Sequence, residues 1–379
     1  MSAPRSALQS LNAEELALIE TVFRGFAIAG EFRSARRIDS GLINSTAVVS
    51  VAPQSGGVRR YLFQRINEVV FEDPVAVMRN VEVVTNHINT KVLRHRADLG
   101  GQTLSLVPAR TGESFVRGPG NGVWRCYHFL EGCHTFDVVA HPEQAYQAGH
   151  AFGAFQDLVS DLSPDLLTET IPEFHNTPQR FDQLQQAVRE DVAGRVGEVE
   201  AELAFVSSNE NWADRLIHLH ATGVIPLRIT HNDTKINNVM FDTTTDQAVC
   251  VIDLDTVMPG LTLYDFGDLV RTATNPTEED ERDLGKVDVR MDIFEALTRG
   301  FLESAGNILS RVEIEHLAFS GKLIAYELGM RFLADHLNGD RYFKTKRPGQ
   351  NLDRARCQLQ LAARLDECED EMNHIVGAL

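Results

Sequence analysis

Long apolar runs are missing from this chain: nothing in it approaches the roughly 20 residues that a membrane-spanning helix needs. The N-terminal stretch MSAPRSALQSLNAEEL also lacks the apolar core of a secretory leader. The expectation is a soluble, cytoplasmic protein with no membrane partner. Basic charge is scarce as well. Lys and Arg number 36 against 54 Asp and Glu, a net charge of −18. No basic run offers the footprint that binding to a phosphate backbone requires, which excludes nucleic acid as a partner. An anionic ligand would need locally placed cations. Cysteine is sparse: the five (Cys126, Cys133, Cys250, Cys357 and Cys368) are scattered and odd in number. Without close metal-type pairs they read as reduced cytosolic thiols, mostly packed in the core. The Asn-x-Ser/Thr matches at Asn44 and Asn232 then carry no glycosylation meaning, and repeats and low-complexity segments are absent.

What is present is a hydrophobic fraction of 43% over 379 residues, enough for packed cores in two lobes. Asn12 and Glu15 have capping-box spacing, and Leu16, Ile19, Phe23 and Phe26 follow at helical intervals. Thr46–Val51 and Val58–Ile66 are rich in β-formers and flank a Pro53–Gly57 turn, which predicts an antiparallel hairpin. The segment leading into it, Ser40–Thr46, contains Gly41 and the small polar residues Ser45 and Thr46. Such a loop either turns the chain or brings backbone N–H groups to phosphate oxygens. Residues 73–91 read as a helix whose apolar face is Val77, Val81, Val84 and Ile88. Glu82 lies off that face, either solvated or bracing a phosphate-binding cation. Strands are expected at 103–108 and 123–130, after which helical patterning begins. This places a lobe boundary between residues 1–130 and 131–379.

The second part reads as helical. Pro178 opens a helix after the FHNTPQRF turn, and residues 182–222 are helical and strongly charged. His218 and His220 stand two apart, the wrong spacing for a helical metal pair. Further helices are expected at 291–302, at 316–337 and around Leu352–Leu365. The loop NGDRYFKTKRPGQN carries Arg341, Lys344, Lys346 and Arg347, either for solubility or for an anionic substrate.

The densest chemistry lies between Ile229 and Asp268, where His-x-Asp-x-Lys-x-x-Asn (His231, Asp233, Lys235, Asn238) is followed by a turn and the apolar strand 248–252, ending on Asp253. Transfer of a γ-phosphoryl group from ATP requires a carboxylate at the acceptor hydroxyl and hard oxygen ligands for Mg²⁺. Asp233 supplies the first, Asn238 and Asp253 the second, and Lys235 a cation for the transferring phosphate. His231 is expected to brace the loop, and Asp255 fits a structural role better than that of a further ligand. No Ala-Pro-Glu follows Asp253, so no peptide-docking platform of a protein kinase is evident.

These residues make the chain resemble the aminoglycoside phosphotransferase and choline kinase superfamily, and more closely its N-acetylhexosamine 1-kinases. The similar wording includes SGLIN, LFQRIN, FHNTP, THNDTKINNVMFD, AVCVIDLDTVMPGL, YDFGD, GMRFLADHLNGDRYFK and NLDRARCQL, from about residue 40 to 360. The resemblance implies an α+β, two-lobed protein-kinase-like fold with a small antiparallel sheet and a mainly helical second lobe. It implies ATP and Mg²⁺ as cofactors and phosphorylation of the anomeric hydroxyl of N-acetylglucosamine or N-acetylgalactosamine, by a monomer or weak homo-oligomer. Carried over by position, Asp233 matches the catalytic carboxylate, Asn238 and Asp253 the magnesium ligands, and Arg331 and Tyr342 the sugar-facing segment. Asn44 falls in the phosphate loop, and Phe129 and Leu130 at the adenine hinge. Where the wider pattern has a lysine on the second hairpin strand, this chain has Tyr-Leu-Phe-Gln-Arg. Gln64 or Arg65 would replace it, or the metal and loop hold the phosphates.

Overall fold

β-Branched and small residues dominate Ser45–Ala52, and the strand they form sits in the middle of a six-stranded antiparallel sheet. The computed structural model describes residues 8–38, 43–95 and 103–379, so Gly41 lies outside the described residues. The sheet strands are β1 (Gln9–Ser10), β2 (Glu31–Ile38), β3 (Ser45–Ala52), β4 (Arg59–Arg65), β5 (Val116–Arg117) and β6 (Val123–His128), in the order β1-β2-β3-β4-β6-β5. The β3–β4 hairpin is the one expected, its turn relaxed by Gly56 and Gly57, both with positive φ.

Alternation along the strands separates two faces. Ala47, Val49 and Val51 of β3, Tyr61 and Phe63 of β4, and Trp124 and Cys126 of β6 join one apolar core with Ile19, Val22 and Phe23. Those last three come from α1 (Ala13–Phe23), which begins with the expected Asn12–Glu15 capping box. Phe26 is fully buried in the same core but lies beyond the end of the helix, bridged to Ala109. The opposite face carries Thr46, Gln64 and Arg125, which are direct cross-strand partners in that order. The helix α2 (Pro74–His95) follows β4 and buries Val77, Val81 and Val84.

The stretch 103–108 is not a strand. It meets β6 through one bridge, Leu106 to Tyr127, and a few backbone bonds such as Val107 N–H to Cys126 O at 2.7 Å. Pro108 has no N–H with which to continue a ladder, and its carbonyl turns to Ala27 instead. A separate three-stranded sheet orders Ala248–Val251, Val239–Asp242 and Cys133–His134. Because Ala248–Val251 is an edge strand there, it is largely half-buried rather than fully buried as its apolar sequence suggested.

Packing divides the chain into two compact units. One comprises Met1–Phe136, Asp161–Ile171 and Met240–Met258; the other comprises Asp137–Ser160, Pro172–Val239 and Pro259–Leu379. The second unit is built on helices α3 (Pro142–Val159), α4 (Thr177–Glu190), α5 (Glu200–Ser208), α6 (Arg215–Ala221), α7 (Thr262–Thr274), α8 (Met291–Ala305), α9 (Arg311–Glu315), α10 (Leu317–Leu337), α11 (Gln350–Glu367) and α12 (Glu369–Ala378). The expected helical region 182–222 is interrupted after Glu190, where Asp191 and Gly194 take positive φ. Helices α3 and α8 approach closely because of their glycines. A Cβ on Gly149 would stand 2.1 Å from the Leu297 carbonyl oxygen, and one on Gly300 2.1 Å from that of Tyr146.

Candidate active site

Within the second unit, a short strand (Arg228–Thr230) delivers the chain into the loop 231–238. A loop with few backbone partners of its own needs outside acceptors for its N–H groups, and α7 provides them. The Asp265 carboxylate accepts from the backbone N–H groups of His231 (2.8 Å) and Asn232 (2.7 Å) and from Gln156 Nε2 (2.6 Å). Asp268 accepts from Thr234 N–H at 2.9 Å, and the Thr234 hydroxyl donates to the Asp265 carbonyl at 2.6 Å. Both carboxylates are buried. Burial pushes Asp265 up from its ordinary pKa. It acts on Asp268 in the same sense, but Arg271 beside it outweighs burial and holds that carboxyl below its ordinary value. His231 braces the loop as expected: it is fully buried between Phe152 and Phe155, and its Nδ1 accepts from Asp233 N–H at 3.3 Å.

This scaffold presents three of the expected residues together. Lys235 Nζ lies 2.9 Å from Asp233 Oδ1, and Asn238 Nδ2 donates to Asp233 Oδ2 at 3.0 Å and to its carbonyl at 2.8 Å. Asp233 is thereby held from both sides while its side chain keeps partial exposure.

In the first unit, Asp253 leaves the Ala248–Val251 strand in a left-handed conformation, φ 62° and ψ 62°. Two residues on, Asp255 is buried and anchors a polar row. It is ion-paired with Arg125 and accepts from Asn44 Nδ2 at 2.5 Å. Arg125 Nε donates to Gln64 Oε1 at 2.9 Å, and Gln64 Nε2 donates to Thr46 Oγ1 at 3.2 Å. Asn44 also accepts from Asn67 N–H at 3.0 Å. Burial alone would lower the Arg125 pKa, but the Asp255 carboxylate leads the effects that raise it above the ordinary value. The structure therefore brings Asn44, Thr46 and Gln64 together through an arginine that motif reading passed over. Its signal was an isolated cation inside the apolar strand Val-Trp-Arg-Cys-Tyr.

The other expected residues of this unit are less connected. Arg65 is partly exposed and 3.9 Å from Glu68, Ser45 is exposed opposite it, and Glu82 is half-buried on α2. Among the described residues no ion pair joins Glu82 to Arg65. Phe129 and Leu130 follow β6, where the Arg60 guanidinium lies 4.1 Å from the Phe129 ring centroid and pairs with Glu131, with Nε to Oε1 at 2.9 Å.

Back in the second unit, Arg331 projects from α10 between two rings, 5.1 Å from the centroid of Phe174 and 5.7 Å from that of Phe343. Tyr342, exposed, packs edge-on against Phe343 at 4.8 Å. Asp335 ties this loop to α10 by accepting the N–H groups of Arg341, Tyr342 and Phe343 at 2.9, 2.8 and 3.0 Å. Beside it, Glu327 is buried with one oxygen on His175 Nδ1 (2.9 Å) and the other on the Thr177 hydroxyl (2.6 Å). Of the loop cations, Arg347 is spent on Asp353 and Asp280. Among the described residues no group of three or more His, Cys, Asp or Glu side chains could hold a metal unaided, and no helix is long and apolar enough to cross a membrane.

A small antiparallel sheet, a helical region and an aspartate–lysine–asparagine loop are the parts of a kinase-like phosphotransferase. The match is direct: the model of the phosphotransferase enzyme family (APH) covers residues 34–289, and the chain belongs to that family. The fold is also that of solved small-molecule kinases. A microcompartment-associated aminopropanol kinase superposes with a TM-score of 0.60 at 15% identity, covering 94% of this chain and 98% of its own. An aminoglycoside phosphotransferase from Alicyclobacillus acidocaldarius gives 0.59 at 16%, covering 100% and 98%. A spectinomycin phosphotransferase in complex with ADP and spectinomycin gives 0.58 at 11%, covering 95% and 100%.

Proposed function

We propose that the chain is an ATP-dependent kinase that phosphorylates the anomeric hydroxyl of N-acetylglucosamine or N-acetylgalactosamine, working in the cytoplasm as a monomer or weak homo-oligomer. Residues 1–130 serve the nucleotide and 131–379 the catalysis and the sugar. The observation that carries the phosphotransferase reading is the Asp233 cluster, with Lys235 on one carboxylate oxygen and Asn238 on the other.

In this reading the sugar hydroxyl oxygen attacks the γ-phosphorus, a new O–P bond forms, the bond to the bridging oxygen breaks, and ADP leaves. Asp233 orients the hydroxyl and takes its proton. An anomeric hydroxyl is more acidic than an ordinary alcohol, so a weakly basic carboxylate suffices. Lys235 meets the transferring phosphate. Asn44, Thr46 and Gln64 are assigned to the phosphate side, with Glu82 as the brace and Phe129–Leu130 at the adenine. Alternation sets Ser45 and Arg65 on the other face of the sheet, which favours Gln64 over Arg65 in place of the lysine. Magnesium suits Asn238 and Asp253: both are hard oxygen donors, and Asn238 makes its two bonds to Asp233 through its nitrogen, which leaves the carbonyl oxygen end for a cation. Either residue would serve a magnesium ion that takes the rest of its shell from phosphates and water, and such an ion would neutralise phosphate charge.

Arg331 and Tyr342 are assigned to the sugar. An amino-alcohol acceptor is the alternative, in keeping with the aminopropanol kinase that shares the fold. The charges around Arg331 disfavour an ammonium there. Arg180 is held below its ordinary pKa by burial and by Arg331, and Glu327 is already committed to His175 and Thr177. Incubation with Mg-ATP and a panel of N-acetylhexosamines, homoserine, choline and an aminoglycoside tests the proposal. Turnover of N-acetylhexosamines is expected; turnover of the others with the N-acetylhexosamines untouched refutes it.

A further inference from the structure

Arg125 has no part in the roles above, yet it is the largest fully buried side chain among the described residues. A guanidinium stripped of water must recover its hydration from fixed partners. Arg125 does so with Asp255, with Gln64 Oε1 at 2.9 Å and with the Tyr127 ring, whose centroid is 5.2 Å away. We propose that Arg125 is the positioning residue for Asp253: by engaging Asp255 it withholds that carboxylate from the metal and fixes the turn that presents Asp253. The inference rests on the assignment of Asp253 as a magnesium ligand.

Both oxygens of Asp255 are occupied, Oδ1 by Arg125 and Oδ2 by Asn44. Without those partners, two aspartates one residue apart would compete for one divalent ion. Asp253 itself is left-handed, a conformation that a non-glycine residue keeps only when its surroundings impose it. The constraint comes from both sides of the segment that follows. Arg125 holds Asp255 to the sheet, and Asn80 on α2, itself buried, donates to the Val257 carbonyl at 2.9 Å. Arg125 is further locked in register through the Thr46–Gln64–Arg125 row, so the clamp is continuous with β3 and β4.

The test is a titration of Mn²⁺ against the intact protein saturated with ADP, read by electron paramagnetic resonance. Arg125→Met and Arg125→Lys are compared with Asp253→Asn as the reference. Arg125→Met is expected to weaken Mn²⁺ binding at least tenfold while the affinity for metal-free ADP stays within twofold. Arg125→Lys, which keeps the charge but not the fork, recovers part of the loss. The double variant Arg125→Met/Asp255→Asn leaves no unpaired charge buried; it carries the test if the single variant does not fold, and it too is expected to bind Mn²⁺ at least tenfold more weakly. Unchanged Mn²⁺ affinity in Arg125→Met, with Asp253→Asn weakened, overturns the inference and spares the metal assignment. Unchanged affinity in Asp253→Asn overturns both. Full recovery in the double variant would mark a replaceable ion pair, and loss of metal-free ADP affinity in Arg125→Met a direct phosphate contact; either also overturns it.

Discussion

At the scale of single residues, Asp233 concentrates the chemistry. Asp233→Asn removes the proton acceptor while preserving the shape of the loop, and kcat is expected to fall by about 10²–10⁴, with ATP binding retained in a calorimetric titration. Near-normal turnover would refute the assignment. Asp268 carries a different prediction. Its folded pKa lies below the ordinary 3.8, with Arg271 outweighing burial. The stability this contributes is therefore present above pH 3.8 and is lost as pH falls through the folded value. Asp268→Asn is expected to cost about 3 kcal/mol at neutral pH, since it takes the nearer carboxylate from a buried guanidinium and leaves it only the longer contacts to Glu279 and Gln358, at 3.4 and 3.3 Å. It should also flatten the acid limb of a urea-denaturation series taken across pH. The ligand types of the loop were legible because their spacing is local. The work of Asp265 and Asp268 was not, although YDFGD stood out as a segment, because their bonds reach the loop across more than 30 residues.

Among the elements, the β3–β4 hairpin and α1 followed directly from turn chemistry, β-branched runs and a capping box, all of them short-range signals. The stretch 103–108 misled because its apolar alternation looks the same in a strand and in an irregular segment that meets a strand edge at one bridge. Arg125 was hidden for a related reason: only the register of β6 against β4 shows that it faces Gln64. Helix packing was equally illegible. The glycines of α3 and α8 reveal their purpose only where the helices touch. Gly149→Ala forces a Cβ to within 2.1 Å of the Leu297 carbonyl oxygen, and is expected to destabilise by about 2 kcal/mol despite the better helix propensity of alanine. Gly197→Ala, with open space around it, should leave the urea midpoint nearly unchanged.

For the molecule as a whole, the resemblance carried by the motifs implied an α+β kinase-like fold, and the small antiparallel sheet, the helical region and the family match over residues 34–289 agree. The packed units are discontinuous in sequence, with Asp161–Ile171 and Met240–Met258 belonging with the first 136 residues. Such returns of the chain carry no composition signature. Binding of Mg-ATP to the folded state should stabilise it by about 2.7 kcal/mol at a hundredfold excess over Kd. A thermal shift of that kind without turnover on any acceptor would indicate a nucleotide-binding protein rather than an enzyme. The central claim concerns where the phosphate goes. Phosphorus and proton NMR of the product from N-acetylglucosamine or N-acetylgalactosamine and Mg-ATP tests it most directly. The account predicts a phosphate coupled to the anomeric proton, formed in step with ADP. A phosphate on any other oxygen, or none on either sugar while an amino alcohol is phosphorylated, would contradict it.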